Sequence, residues 1–108
     1  MQERMLMMTE AELQAVCNQY LRNRGIVYFH LPKGRTNGQK MMTVGGLPDI
    51  LVWHNGRHCM IELKTETGTL NARQLEMFGR YDAAGFPVQV IRTFEEFKTA
   101  IEVFLGEV

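Results

Sequence analysis

Residues 45–64 read GGLPDILVWHNGRHCMIELK and set three charged side chains, Asp49, Glu62 and Lys64, among apolar strand formers. Two strands, 49–54 and 57–64, meet at Asn55-Gly56. That dipeptide suits a type I′ turn, in which both central residues need positive φ. A two-residue turn pairs His54 with Arg57 and fixes every pair behind it. Asp49 then lies opposite Glu62, thirteen residues downstream. Directly opposed side chains share a face, with Cβ atoms about 4.5–5.5 Å apart. Strand alternation brings Lys64 to that face as well. A bulge would shift the register by one and separate the acids.

Two carboxylates this close repel unless a cation, a shared proton or Lys64 relieves them. Mg²⁺ suits the position: it takes one or two carboxylates and keeps waters for a substrate. The plainer reading is a salt-bridge knot at an exposed hairpin end, and Glu-x-Lys alone supports nothing more. Pro48-Asp49 upstream, in a register set by the turn, shifts the balance toward a functional site. One face of the hairpin adds Leu51, Trp53 and Met60; the other holds Ile50, Val52, Ile61 and Leu63. Both are apolar, so the expectation is a central hairpin covered on both sides by helices.

Outward from the hairpin, Thr9 and Glu12 form a capping-box pattern at the start of a helix over about 9–24. Leu13, Val16, Cys17, Tyr20 and Leu21 recur at helical spacing, and Gly25 marks the stop. Residues 26–31, IVYFHL, read as a strand. The Gly-rich segment 32–46 reads as a long loop able to wrap a ligand, in which KMMTV offers a short strand. A second helix spans about 72–84, capped by Asn71 and ended by Gly85. PVQVIR is a strand, and Thr93 with Glu96 opens a last helix striped by Phe94, Phe97, Ile101, Phe104 and Leu105. The order is αβββαβα, and the strand–helix–strand unit near the end predicts a parallel crossover.

With 108 residues the chain is expected to be a single domain over 1–108. Residues 1–8 form a flexible or dimer-contacting N-terminus in this reading. Hydrophobic residues make up 45% and charged residues 22%, enough for one core without staples. No apolar run reaches membrane-spanning length, and the N-terminus lacks a signal-peptide pattern. Cys17 and Cys59 have no metal-type spacing and read as reduced core residues of a cytoplasmic protein.

The formal net charge is zero, yet it is unevenly spread. From Leu13 to Pro48 there is no acid, while Arg22, Arg24, Lys33, Arg35 and Lys40 give +5. Such a split makes a local positive field, or else a solvated face with acidic neighbours folded across it. Lys33, Arg35 and Lys40 are the candidate contacts to a DNA backbone.

Gly-x-Pro-Asp at 46–49, Glu-x-Lys at 62–64 and Gln74 near the start of a helix together resemble the PD-(D/E)XK nuclease superfamily. More narrowly, the order is similar to that of virus-type replication-repair nuclease (VRR-NUC) domains, over nearly the whole chain. The resemblance implies a restriction-endonuclease-like α/β fold: an αβββαβ core, a central mixed sheet flanked by helices, and an extra C-terminal helix. It implies Mg²⁺- or Mn²⁺-dependent hydrolysis of DNA phosphodiesters, with DNA repair as the setting. Asp49, Glu62 and the Leu63 carbonyl would hold the metal, and Lys64 would serve the attacking water and the transition state. Gln74 would approach from the second helix, although it also fits a capping role with Asn71. An acid of the first helix joins the site in the family; Glu10 is preferred, since Glu12 caps with Thr9, and Gln14 shares the face of Glu10. The resemblance further implies a homodimeric endonuclease cutting four-way (Holliday) junctions. The rivals are a nuclease without junction preference and a catalytically silent DNA-binding module.

Overall fold

The computed structural model describes residues 7–31 and 46–107. Lys33, Arg35, Lys40, the KMMTV stretch and residues 1–6 of the N-terminus lie outside the described residues. The elements are α1 (Glu10–Asn23), β1 (Val27–His30), β2 (Ile50–His54), β3 (Arg57–Leu63), α2 (Ala72–Ala83), β4 (Val88–Ile91) and α3 (Phe94–Leu105). This is the expected order, with strands a residue or two shorter at their ends.

The sheet runs β1-β2-β3-β4. The first two pairings are antiparallel and β3–β4 is parallel, so the sheet is mixed. Asn55 and Gly56 have φ of 49° and 74°, the positive values that a type I′ turn requires. From that turn the register runs His54↔Arg57 to Ile50↔Ile61, as the sequence predicts.

Each helix starts where a side chain can take up its unpaired amides. Thr9 and Glu12 complete a capping box on α1, and Asn71 and Gln74 complete one on α2. On α3 the Thr93 hydroxyl accepts the Glu96 amide, but the Glu96 carboxylate turns back to the Arg92 amide at 2.8 Å. That cap therefore ties the helix to the end of β4 instead of closing on itself.

The core lies on one sheet face. Leu13, Cys17 and Leu21 of α1 and Phe97, Ile101 and Phe104 of α3 pack over Ile50, Val52, Ile61, Leu63 and Ile91. Full burial of such a side chain contributes about 1.5–3 kcal/mol. The opposite face differs from the expectation. Its β4 side meets α2, while Val27, Phe29 and Trp53 on the β1–β2 side stay exposed. Apolar alternation on both faces says each is suited to cover. Among the described residues two helices pack on the first face, and α2, which contacts β4, packs on the second.

Candidate active site

Asp49 immediately precedes β2, where the ladder leaves its regular register. Its amide donates to the Ile61 carbonyl at 3.0 Å, one residue short of the partner that strict pairing would give. Its carboxylate accepts the Leu63 amide at 2.6 Å. A side chain thus takes up an amide at the open end of β3, and a charge-assisted bond of this kind is strong. The irregularity does not separate the acids. Oxygens of Glu10, Asp49 and Glu62 all lie within 4.8 Å of one another.

Three elements deliver these groups. Glu10 is the first residue of α1, placed by the Thr9 cap, and it is exposed. Glu12 is engaged in that cap, its carboxylate accepting the Thr9 amide at 2.9 Å. The Gln14 side chain donates to Asn18 at 3.1 Å. Asp49 and Glu62 are 4% and 0% exposed, so their charges are withdrawn from water. A buried charge needs partners to offset its lost hydration. Gln74 Nε2 donates to Glu62 Oε2 at 2.9 Å, and Lys64 Nζ lies 3.9 Å from the same oxygen.

Gln74 therefore does both of the things open to it. Its Oε1 accepts the Asn71 amide at 3.0 Å in the cap, while its amide nitrogen serves Glu62. The helix start and the site share one side chain, which fixes its rotamer from both ends.

The segment leading into Asp49 is tightly held against α2. Gly46 has φ of +81°, and a Cβ there would fall 2.9 Å from Met77 Cγ and 3.1 Å from the Arg73 carbonyl. Only glycine fits both the backbone conformation and the space. Behind Lys64, the Arg92 guanidinium donates to the Thr65 and Gly68 carbonyls at 2.8 and 2.5 Å. It pins the turn that follows the lysine. No periodicity or motif marks Arg92 in the sequence; the partners are backbone carbonyls, which carry no sequence signal.

The donor set is all oxygen and suits a hard divalent ion such as Mg²⁺ or Mn²⁺. Among the described residues three carboxylates gather beside one ammonium. Leu63 also fits. The Lys64 amide donates to the Ile91 carbonyl at 3.0 Å, toward β4. In a trans peptide the carbonyl points opposite the amide, so the Leu63 oxygen turns away from β4 toward the Asp49 side.

The chain is a mixed four-stranded sheet packed with three helices, an α/β fold, with acids gathered at one end. Among solved structures the chain is similar to a VRR_NUC domain, with a TM-score of 0.66 and 24% identity over 87% of this chain and 95% of that one. The fold is that of a VRR_NUC domain. The sequence matches no protein-family model and no curated protein.

Proposed function

We propose that this chain is a Mg²⁺- or Mn²⁺-dependent endodeoxyribonuclease. The observation that carries the reading is the convergence of Glu10, Asp49 and Glu62 within 4.8 Å beside Lys64, in a VRR_NUC fold. Asp49, Glu62, Glu10 and the Leu63 carbonyl would hold the ion. Bound there, a divalent ion acidifies a water and draws charge from a phosphoryl oxygen. Lys64 places a mobile positive charge beside the oxygens that become more anionic as the phosphodiester is attacked. Gln74 holds Glu62 in one orientation through Oε2. Lys33, Arg35 and Lys40, from the acid-free stretch 13–48, supply phosphate contacts that carry no base specificity.

The preferred substrate is a four-way DNA junction, cut by a twofold homodimer that presents one site to each of two opposed strands. Exposed Met7 and Met8 at the N-terminus and Val103 on α3 are apolar positions suited to that contact. The test is cleavage of a labelled four-way junction against linear, nicked and flapped duplexes, with and without Mg²⁺ or Mn²⁺. Metal-dependent cutting is expected for the wild type, and a loss of about a hundredfold or more for Lys64→Ala with its fold intact. Equal cutting of linear duplex removes the junction preference and leaves the chemistry. Undiminished cutting by Lys64→Ala removes the chemistry.

A further inference from the structure

The β1–β2 half of the second sheet face carries exposed rings in a particular place. Alternation puts Val27, Phe29, Leu51, Trp53, His58 and Met60 on the face that also bears Glu62. Phe29 is 49% exposed and Trp53 is 44% exposed. His58 stacks on exposed Phe86, with ring centroids 5.0 Å apart. Phe29 pairs with Leu51, two residues along β2 from Asp49, and Trp53 lies four residues from it, about 13 Å along the strand. The rings therefore lead away from the carboxylate cluster along one continuous surface.

At its far end this surface reaches the tip of the hairpin, where side chains of both sheet faces meet. Trp53 and Val27 line a cavity of about 700 Å³ together with Arg24, His54, Arg57 and His58. Arg24 is paired with Glu107. Among the described residues Arg57 meets the Phe104 carbonyl at 2.6 Å and the Phe104 ring, not a carboxylate. The surface so joins the carboxylate cluster to exposed π-faces. Unpaired nucleic acid offers the matching groups: a phosphodiester for the cluster and bases for the rings. A duplex hides its base faces.

We propose that Phe29 and Trp53 form a stacking platform for unpaired bases, so that the enzyme engages bases released from pairing at a DNA branch beside the bond it cuts. The proposal deepens the nuclease reading and rests on it for the direction of the strand. Its test does not depend on cleavage, because Trp53 is the only tryptophan in the chain and its emission reports on the platform directly. Wild-type protein in EDTA is titrated with oligo(dT) and with a blunt duplex. Saturable quenching by the single strand, and much weaker quenching by the duplex, is expected. Phe29→Leu keeps the site apolar and the reporter in place but removes a ring; it should weaken single-strand binding roughly tenfold.

Three results overturn the proposal: emission that no DNA alters, equal affinity of Phe29→Leu and wild type, or emission that shifts with protein concentration alone. The last assigns the face to a second copy of the chain. A separate cleavage assay with Mg²⁺ or Mn²⁺ on a labelled four-way junction keeps the two readings apart. Quenching without cutting leaves the platform and defeats the nuclease, and cutting without quenching does the reverse.

Discussion

Gln74 holds Glu62 through a 2.9 Å bond from Nε2 while its own Oε1 is held by the Asn71 amide at 3.0 Å. Loss of either bond therefore affects both helix and site. Gln74→Ala removes a donor from a fully buried carboxylate and half of a capping box. A drop in stability of about 1–3 kcal/mol is expected. Gln74→Glu separates the roles: its oxygen still caps Asn71, but a second carboxylate faces Glu62. Its stability should stay above that of Gln74→Ala at neutral pH in the presence of Mn²⁺, while nuclease activity falls about 10–100-fold, as for other groups that orient metal ligands. Urea melts and cleavage rates on one set of proteins check both parts.

The cluster itself makes a graded prediction. Asp49 and Glu62 are buried and Glu10 is exposed. An exposed carboxylate remains hydrated and adds less to ion binding than one held inside. Calorimetric titration with Mn²⁺ should show affinity in the wild type, a modest loss in Glu10→Gln and none measurable in Glu62→Gln. If Glu10→Gln binds as weakly as Glu62→Gln, the start of α1 is a full ligand and not an accessory one.

Gly46 makes a purely steric prediction. Its φ of +81° and the 2.9 Å approach to Met77 Cγ leave no room for a methyl group. Gly46→Ala should cost about 1–3 kcal/mol of stability from overpacking. It should also lower activity more than stability alone explains, because residues 46–48 feed directly into Asp49. A variant that melts like the wild type would show that α2 gives way at this contact.

Much of the fold and part of the site are legible in the sequence because they are local. Asn55-Gly56 sets the register, and the register sets which residues of β2 and β3 oppose each other. Thr9, Asn71 and Thr93 place the helix starts within a residue. The fine geometry at Asp49 is not local in this sense. Its carboxylate replaces a ladder partner for Leu63, and strand periodicity is blind to a side chain acting as backbone. Nor does the pattern show the uncovered half-face. Val27, Phe29 and Trp53 alternate like buried strand residues, yet among the described residues no helix packs over them. Arg92 is silent for a third reason: its partners, Thr65 and Gly68, contribute carbonyls that any residue would supply.

The two cysteines give a dependence on pH whose sign is fixed by burial. Cys17 is fully buried in the core and its thiol is pushed up to about 12; Cys59, half-buried, is pushed up to about 11. Desolvation disfavours the thiolate in both, with the Arg57 charge opposing it slightly at Cys59. In the unfolded chain a thiol loses its proton near pH 8.5. Below that value both states hold the proton and the thiols add no pH dependence. Above it the unfolded state binds fewer protons than the folded one, so stability falls as pH rises toward the folded values. The slope approaches about 1.4 kcal/mol per pH unit for a fully buried thiol. Urea melts from pH 7.5 to 10 under reductant should show this decline. Cys17→Ala should be less stable throughout, because it leaves a small cavity, yet decline less steeply. Parallel curves for the two proteins would mean that Cys17 ionises as readily inside the fold as outside it.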